Sequence, residues 1–291
     1  AAGSVQYAQQ LLKDLSNKPK ATAAADKLSG PAKLSSWKMV GAKPGGSNPG
    51  AIYEDENGTR WLVKGSNAGN ATPRSHNEVL ASKLMAAAGI GVPDMKLVDL
   101  EGMHGGGIGV ASKMMGDLKP LNTSNASHMA AAQADFAVHA WLANYDAIGL
   151  STDNTKIGPD GKAVNIDPGG ALEYRAQGKL KTDFNQTVGE LKSMRDPQVN
   201  AAAAKVYGPM TSVQIAESSK KVAAVSDETI TKLVMAYGGG TDAQKKESIR
   251  VGVNGRLDSV QCAVLLAKLT IFPEEMKARA RIAERYRKGL G

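Results

Sequence analysis

Asp146, Asn154 and Asp167 are the side chains in this sequence whose types and spacing best suit them to handle a metal ion and a proton. Between Asn154 and Asp167 lie two short alternating runs, Thr155-Lys156-Ile157 and Ala163-Val164-Asn165-Ile166. They are joined by Pro159-Asp160-Gly161-Lys162, a tight-turn composition, so the spacing predicts a hairpin that brings Asn154 and Asp167 together. An amide oxygen and a carboxylate held there can share a divalent cation with a phosphate chain, while Asp146, in the preceding loop, accepts or orients a hydroxyl proton. The segment suggests phosphoryl transfer. Asp, Asn and Asp-Gly are also ordinary loop formers, so the upstream elements have to supply the rest.

A glycine-rich loop runs from Val40 to Gly50, followed by Ala51–Asp55, a turn at Asn57-Gly58, and Arg60–Lys64. This reads as strand, loop, strand, turn, strand. Glycine lets backbone N–H groups approach phosphate oxygens, which makes Gly45 and Gly46, with the Ser47 hydroxyl, candidate nucleotide contacts. Lys64 ends an apolar strand, where it is either a phosphate ligand or an ordinary strand-end charge. From Arg74 to Ala88 the pattern is helical, with Val79, Leu80, Leu84 and Met85 on one face and a stop at Gly89. Glu78 is read in the first turn of that helix, where a carboxylate suits the helix dipole in any protein; the alternative is a pairing with Lys64. Val92–Asp99 and Gly107–Met115 read as two further strands, the second running into a hinge at Lys113, Met114 and Met115.

In this order the motifs resemble the atypical kinases related to HipA-type toxin kinases and the phosphoinositide 3- and 4-kinases, over about residues 37–236. Lys64, Glu78, Asn144-Tyr145-Asp146, Asp153-Asn154 and Asp167-Pro168-Gly169-Gly170-Ala171-Leu172 carry the resemblance. It implies an α+β, two-lobed protein-kinase-like fold, with a small antiparallel-sheet N-lobe and a mainly helical C-lobe, and an ATP-dependent phosphotransferase using ATP and Mg2+. Residue by residue, it makes Lys64 the phosphate-binding and catalytic lysine, Glu78 its partner, and Asp146 the catalytic aspartate. Asn154 and Asp167 become the metal ligands, and the backbone around Lys113, Met114 and Met115 meets adenine. Two departures stand out: Pro168-Gly169-Gly170 replaces the Phe-Gly of ordinary protein kinases, and the gap from Asp146 to Asn154 is longer than theirs. Asp153 therefore competes with Asp146 for the catalytic role. HipA-like relatives phosphorylate proteins and phosphoinositide kinases act on lipid; a protein Ser/Thr acceptor is the expectation. A lipid-phosphorylating or AMP-transferring relative, or a non-catalytic nucleotide-binding interaction module, are the alternatives. Composition agrees with a soluble cytoplasmic enzyme, and the host roles left open are a toxin, an effector secreted into a host cell, or a phage-borne modifier.

With 291 residues, 42% of them hydrophobic, the chain can bury a substantial core. No apolar run is long enough for a membrane span. A single cysteine, Cys262, excludes an internal disulfide framework and a cysteine-based zinc site. A net charge of +8 permits anionic partners, but aromatics at 4% are too few for a base-stacking surface, which disfavours nucleic acid. His139 lies in an apolar run and reads as a core histidine.

Four stretches follow: a linker or N-terminal extension over 1–35, an N-lobe over 36–118, a helical C-lobe over 119–247 and a tail over 248–291. Helices are expected at Met129–Ala143, Val199–Val206, Met210–Val225 and Asp227–Tyr237, the last capped by Asp227 and ended by Gly238. In the tail, Val251-Gly252-Val253-Asn254-Gly255-Arg256-Leu257-Asp258 and the run on to Tyr286 resemble one segment of the DegT/StrS-type sugar aminotransferases, which use pyridoxal phosphate. Nothing upstream looks like their cofactor-binding domain. The tail is expected to be helical and to pack on the helical lobe or pair two chains as a homodimer.

Overall fold

The computed structural model describes residues 30–45, 48–182, 184, 188–246, 277, 281–286 and 288–289. Six strands form the first sheet: β1 (Ala32–Lys33), β2 (Lys38–Ala42), β3 (Gly50–Glu54), β4 (Arg60–Lys64), β5 (Met95–Asp99) and β6 (Ile108–Lys113). Their order is β1-β5-β6-β4-β3-β2, antiparallel throughout except for β1 beside β5. Alternate residues of β3 and β4, Ala51, Tyr53, Trp61 and Val63, turn inward onto Leu34, Val98 and Leu100, as the two-residue period of a strand requires. The sheet takes in Ala32 and Lys33, with Leu34 fully buried, upstream of residue 36 where composition alone starts the lobe. A two-residue strand is too short to show alternation.

Helix α1 (Ala71–Ala87) packs on β5 and β6, through a small cluster of Val79, Met95 and Val110. It begins before Arg74, with Pro73 in its first turn, where a missing N–H costs little. Glu78 is therefore in the middle of the helix, not its first turn, and the dipole gives no reason for a carboxylate there. On its other side α1 lends Leu80, Leu84 and Met85 to a core shared with α3 (Phe136–Trp141), α6 (Ser212–Ala223) and α7 (Asp227–Tyr237). One helix thus belongs to both halves of the molecule, and that shared core fixes the sheet relative to the helices.

The second half also holds β7 (Lys119–Pro120), β8 (Thr155–Ile157) and β9 (Ala163–Asn165) in a small antiparallel sheet, with α2 (Ala126–Gln133), α4 (Glu190–Ser193) and α5 (Ala201–Tyr207). The run expected as one helix from Met129 to Ala143 is two, α2 and α3, parted at Ala134-Asp135. Asp135 is 4% exposed and forms an ion pair with Lys221 of α6, the partner a buried carboxylate needs. α7 has the expected bounds, but its cap is Ser226, whose Oγ accepts the Thr229 N–H at 3.2 Å; Asp227 is the first helical residue. His139 is buried, and its Nδ1 accepts from the Asn144 amide at 3.3 Å. Burial, with the Lys221 charge, pushes its pKa down to about 3, so the ring stays neutral. Among the described residues no helix is long and apolar enough to cross a membrane.

Candidate active site

Lys64 closes β4, and α1 passes close enough to bring Glu78 onto it. The Lys64 ammonium is 2.5 Å from Glu78 Oε1 and 3.3 Å from Asp167 Oδ1. The Lys64 and Glu78 side chains are 13% and 14% exposed and that of Asp167 is 50% exposed, so the triad is dry at one end and open at the other. Burial alone would lower the Lys64 pKa; Glu78 and Asp167 outweigh it and hold the ammonium above the usual lysine range. Burial likewise works against the Asp167 carboxylate, but Lys64, the Gly169 N–H at 3.3 Å and Lys43 bring it below the usual range. Strand register explains where Lys64 points. Gly50 is its partner across β3 and β4, and a Cβ at Gly50 would stand 2.2 Å from the Val63 carbonyl, so only glycine lets the loop re-enter the sheet there.

The hairpin does what its spacing predicts. β8 and β9 pair Thr155 with Asn165, and the Ile166 N–H donates to the Asn154 carbonyl at 2.9 Å, which brings Asn154 and Asp167 to the same end. Asn154 Nδ2 donates to the Asp146 carbonyl at 2.8 Å and to Asp146 Oδ2 at 3.0 Å. Both partners only accept, so the amide nitrogen faces Asp146 and the amide oxygen is the atom left for a cation. The chain just past Asp146 is pinned as well: Thr155 Oγ1 and Asn165 Nδ2 both donate to the Ala147 carbonyl, at 2.7 and 2.9 Å. Burial raises the Asp146 pKa, against the Asn154 hydrogen bond, and the charges of Asp167 and Asp153 add to the rise. A carboxylate raised in this way is better matched to proton transfer near neutrality. Asp153 is exposed, and its Oδ1 fills the space beside Gly149, whose φ is +78° and where a Cβ would stand 2.2 Å away.

The two groups meet at the turn after Asp167. A Cβ on Gly169 would be 3.1 Å from Asp167 Oδ1 and 3.2 Å from Glu78 Oε2, and one on Gly170 would be 3.2 Å from the Asp146 Cβ. So Lys64, Glu78 and Asp167 touch, Asp146 and Asn154 touch, and two glycines join the sets. Lys113 ends β6, and Met114 and Met115, 42% and 40% exposed, follow it on the connection to the second half. Gly45 is described; Gly46 and Ser47 lie outside the described residues.

Three further residues take part that sequence reasoning did not single out. Lys43 bonds the Gly45 carbonyl and shares a field with Lys64 and Asp167; burial first, then the Lys64 charge, lowers its pKa. Asn77, beside Glu78, donates to the Ala171 carbonyl at 2.9 Å and accepts the Glu173 N–H at 3.2 Å. The Lys181 ammonium donates to the carbonyls of Ala143, Gly170 and Leu172 at 2.7, 2.8 and 2.6 Å, one bond for each of its donors. It ties the loop before Asp146 to the segment after Asp167. Asn77 had a faint signal, a polar residue beside the apolar stripe of α1; no pattern in the sequence marks Lys43 or Lys181.

The crystal structure of CtkA, a proinflammatory kinase of Helicobacter pylori, superposes with a TM-score of 0.56 over 82% of this chain and 98% of its own, at 12% sequence identity. The fold is protein-kinase-like. At that identity the likeness concerns the fold alone. The choline kinase LicA of Streptococcus pneumoniae covers 79% of this chain and 95% of its own at 14% identity, but its TM-score of 0.34 is too low to add to this. The C-terminal part is similar to something else. The DegT/DnrJ/EryC1/StrS aminotransferase family profile matches residues 222–291. UDP-2-acetamido-2-deoxy-3-oxo-D-glucuronate aminotransferase of Pseudomonas aeruginosa is 29% identical over 127 residues, 43% of this chain. The chain spans about a third of that relative's length, 35%. The family match starts upstream of Val251 and takes in α7, whose Ile230, Leu233 and Val234 belong to the core shared with α1. Residues 251–276 lie outside the described residues, as does most of the tail expected to be helical.

Proposed function

We propose that this chain is an ATP-dependent phosphotransferase of the HipA- and phosphoinositide-kinase-like type, with a protein Ser or Thr hydroxyl as acceptor. One observation carries the reading: a buried ammonium, Lys64, bridges a buried carboxylate on α1 and an open carboxylate on the hairpin, one turn from the Asp146–Asn154 pair. The kinase-like fold supports it. In this reading residues 36–118 hold the nucleotide, 119–247 receive the acceptor, and 248–291 form a tail outside the catalytic unit.

The donor set suits magnesium and a triphosphate. Among the described residues no group of three or more His, Cys, Asp or Glu side chains could hold a metal by itself. Magnesium bound through one or two protein oxygens keeps the rest of its shell for water and phosphate, and Asp167 with the Asn154 amide oxygen provides such a pair. When bound there, the cation neutralises charge on the phosphate oxygens. Lys64 and Lys43 bring two more positive charges to the same side of the cleft, and Glu78 holds Lys64 in place. Asp146, its pKa raised and its carboxylate oriented by Asn154, takes the hydroxyl proton as the new O–P bond forms and the bond to the β-phosphate oxygen breaks.

The test uses the purified chain with magnesium and ATP labelled at either the α or the γ position. Label transferred from γ alone is the expected result. Transfer from α would mean AMP transfer, and binding without transfer would mean an interaction module.

A further inference from the structure

If phosphoryl transfer is the reaction, the acceptor hydroxyl must reach Asp146, and the groove beside it has a volume of about 790 Å³. Three segments wall this groove: the loop 148–154, the hairpin closed by the Tyr174–Leu180 bridge and ending at Lys181, and the segment 199–203. The groove is larger than a single hydroxyl-bearing side chain needs. Leu150, in the first wall, is 92% exposed, and Val199, in the third, is 61% exposed. An isolated exposed aliphatic side chain means little. Two of them, brought by separate segments to one groove whose floor holds Asp146 and Asn154, form an apolar rim around a polar centre.

The charges of the groove narrow the acceptor further. Among the described lining residues Arg175 and Lys181 are the two cations, and Lys181 commits an ammonium N–H to each of three backbone carbonyls, so an anionic headgroup would find no cluster of cations there. A polycationic acceptor would meet Asp146 and Asp153, but Arg175 shares the same lining. A quaternary ammonium calls for an aromatic cage. Tyr145 is the one aromatic side chain in the described lining, and its hydroxyl is engaged with Ser193 at 2.9 Å.

We infer that the groove takes an extended polypeptide segment in which the hydroxyl residue is flanked by uncharged, apolar residues that seat on Leu150 and Val199. This rests on the phosphotransfer reading and specifies its acceptor.

The experiment uses the full chain, magnesium and γ-labelled ATP. The acceptors are peptides of one length with a central Ser and Leu/Val, Glu or Lys flanks, together with phosphatidylinositol vesicles, choline and an aminoglycoside. The apolar-flanked peptide is expected to be labelled with a kcat/KM about tenfold above the charged peptides. A Leu150→Ser/Val199→Ser double variant should raise the KM for that peptide about tenfold and change its kcat far less, since ground-state and transition-state binding are lost together. Both positions are exposed, so its thermal melt should match the parent's. A preference for charged flanks, for vesicles or for either small molecule overturns the inference, as does an unchanged KM in the double variant. Label on the chain itself with none on any peptide overturns it too, while leaving phosphotransfer intact. No γ-label transfer to anything overturns the phosphotransfer reading and the inference with it.

Discussion

Lys64 is held by charge, between Glu78 at 2.5 Å and Asp167 at 3.3 Å, whereas Asp146 is held by a neutral amide, with the carbonyl of the next residue pinned by a hydroxyl and a second amide. The two halves of one site thus answer to different physics. Where charges are mutually dependent and desolvated, removing one leaves its partners stranded. Where hydrogen bonds to the main chain set the position, removing the reactive carboxylate leaves the scaffold standing. The contrast predicts that changes in the first half damage nucleotide binding, turnover and stability together, and that changes in the second half separate them.

The largest effect should come from the charged half. Asp167→Asn is expected to weaken magnesium-ATP binding, read by calorimetry, and to lower phosphoryl transfer by about 10²–10³-fold. Lys64→Ala should cost turnover on the same scale. It should also destabilise the fold by about 3 kcal/mol in a urea melt, because Glu78 is left buried and unpaired. Adding Glu78→Ala should recover part of that loss, and strictly additive melts would show that the pair is not coupled.

Asp146→Ala should cost turnover alone, lowering transfer by about 10²–10⁴-fold while leaving magnesium-ATP affinity and the melt close to the parent values. Asp153→Ala should cost less. The opposite ranking in matched assays would hand the catalytic role to Asp153 and dissolve the contrast between the halves.

A smaller effect, but one with a definite sign, concerns pH. With its pKa raised by burial and by the nearby carboxylates, Asp146 should impose an acid limb on kcat/KM above the ordinary aspartate range. Asp153→Asn removes one of the charges that raise it, so the limb should move to lower pH; a limb that stays put or rises means Asp153 does not act on Asp146. Asp167 behaves oppositely. Its folded pKa lies below the unfolded value, so its contribution to stability is complete above about pH 4 and is lost only as pH falls through that lower value.

The mildest change is Gly149→Ala, which forces an L-residue into φ +78° and pushes a methyl group against Asp153 Oδ1. A loss of about 1–3 kcal/mol is expected from the backbone alone. A melt equal to the parent's would show that the loop rearranges without cost.

The hairpin was legible from its residues because β8, β9 and their turn carry their instruction locally, in two short runs joined by a tight-turn composition with Gly161 at φ +77°. The apolar stripe of α1 was legible for the same reason. What escaped depends on distant partners. The break between α2 and α3 follows Asp135, whose partner Lys221 is far along the chain. β1 is defined only by pairing with β5. Asn77 and Lys181 act on main-chain carbonyls, which every residue has and no sequence pattern marks. Lys43 differs from any loop lysine only in lying near Asp167.

Lys181 has a consequence for the order in which the molecule is made. It stands later in the chain than Lys64, Glu78, Asp146, Asn154 and Asp167, and it joins the stretches on either side of the hairpin by binding Ala143, Gly170 and Leu172 at a single nitrogen. Chains emerge from the N-terminus onward. A nascent chain therefore displays all five reactive side chains before it owns the atom that draws their loops together, and it remains chemically unfinished until residue 181 has arrived.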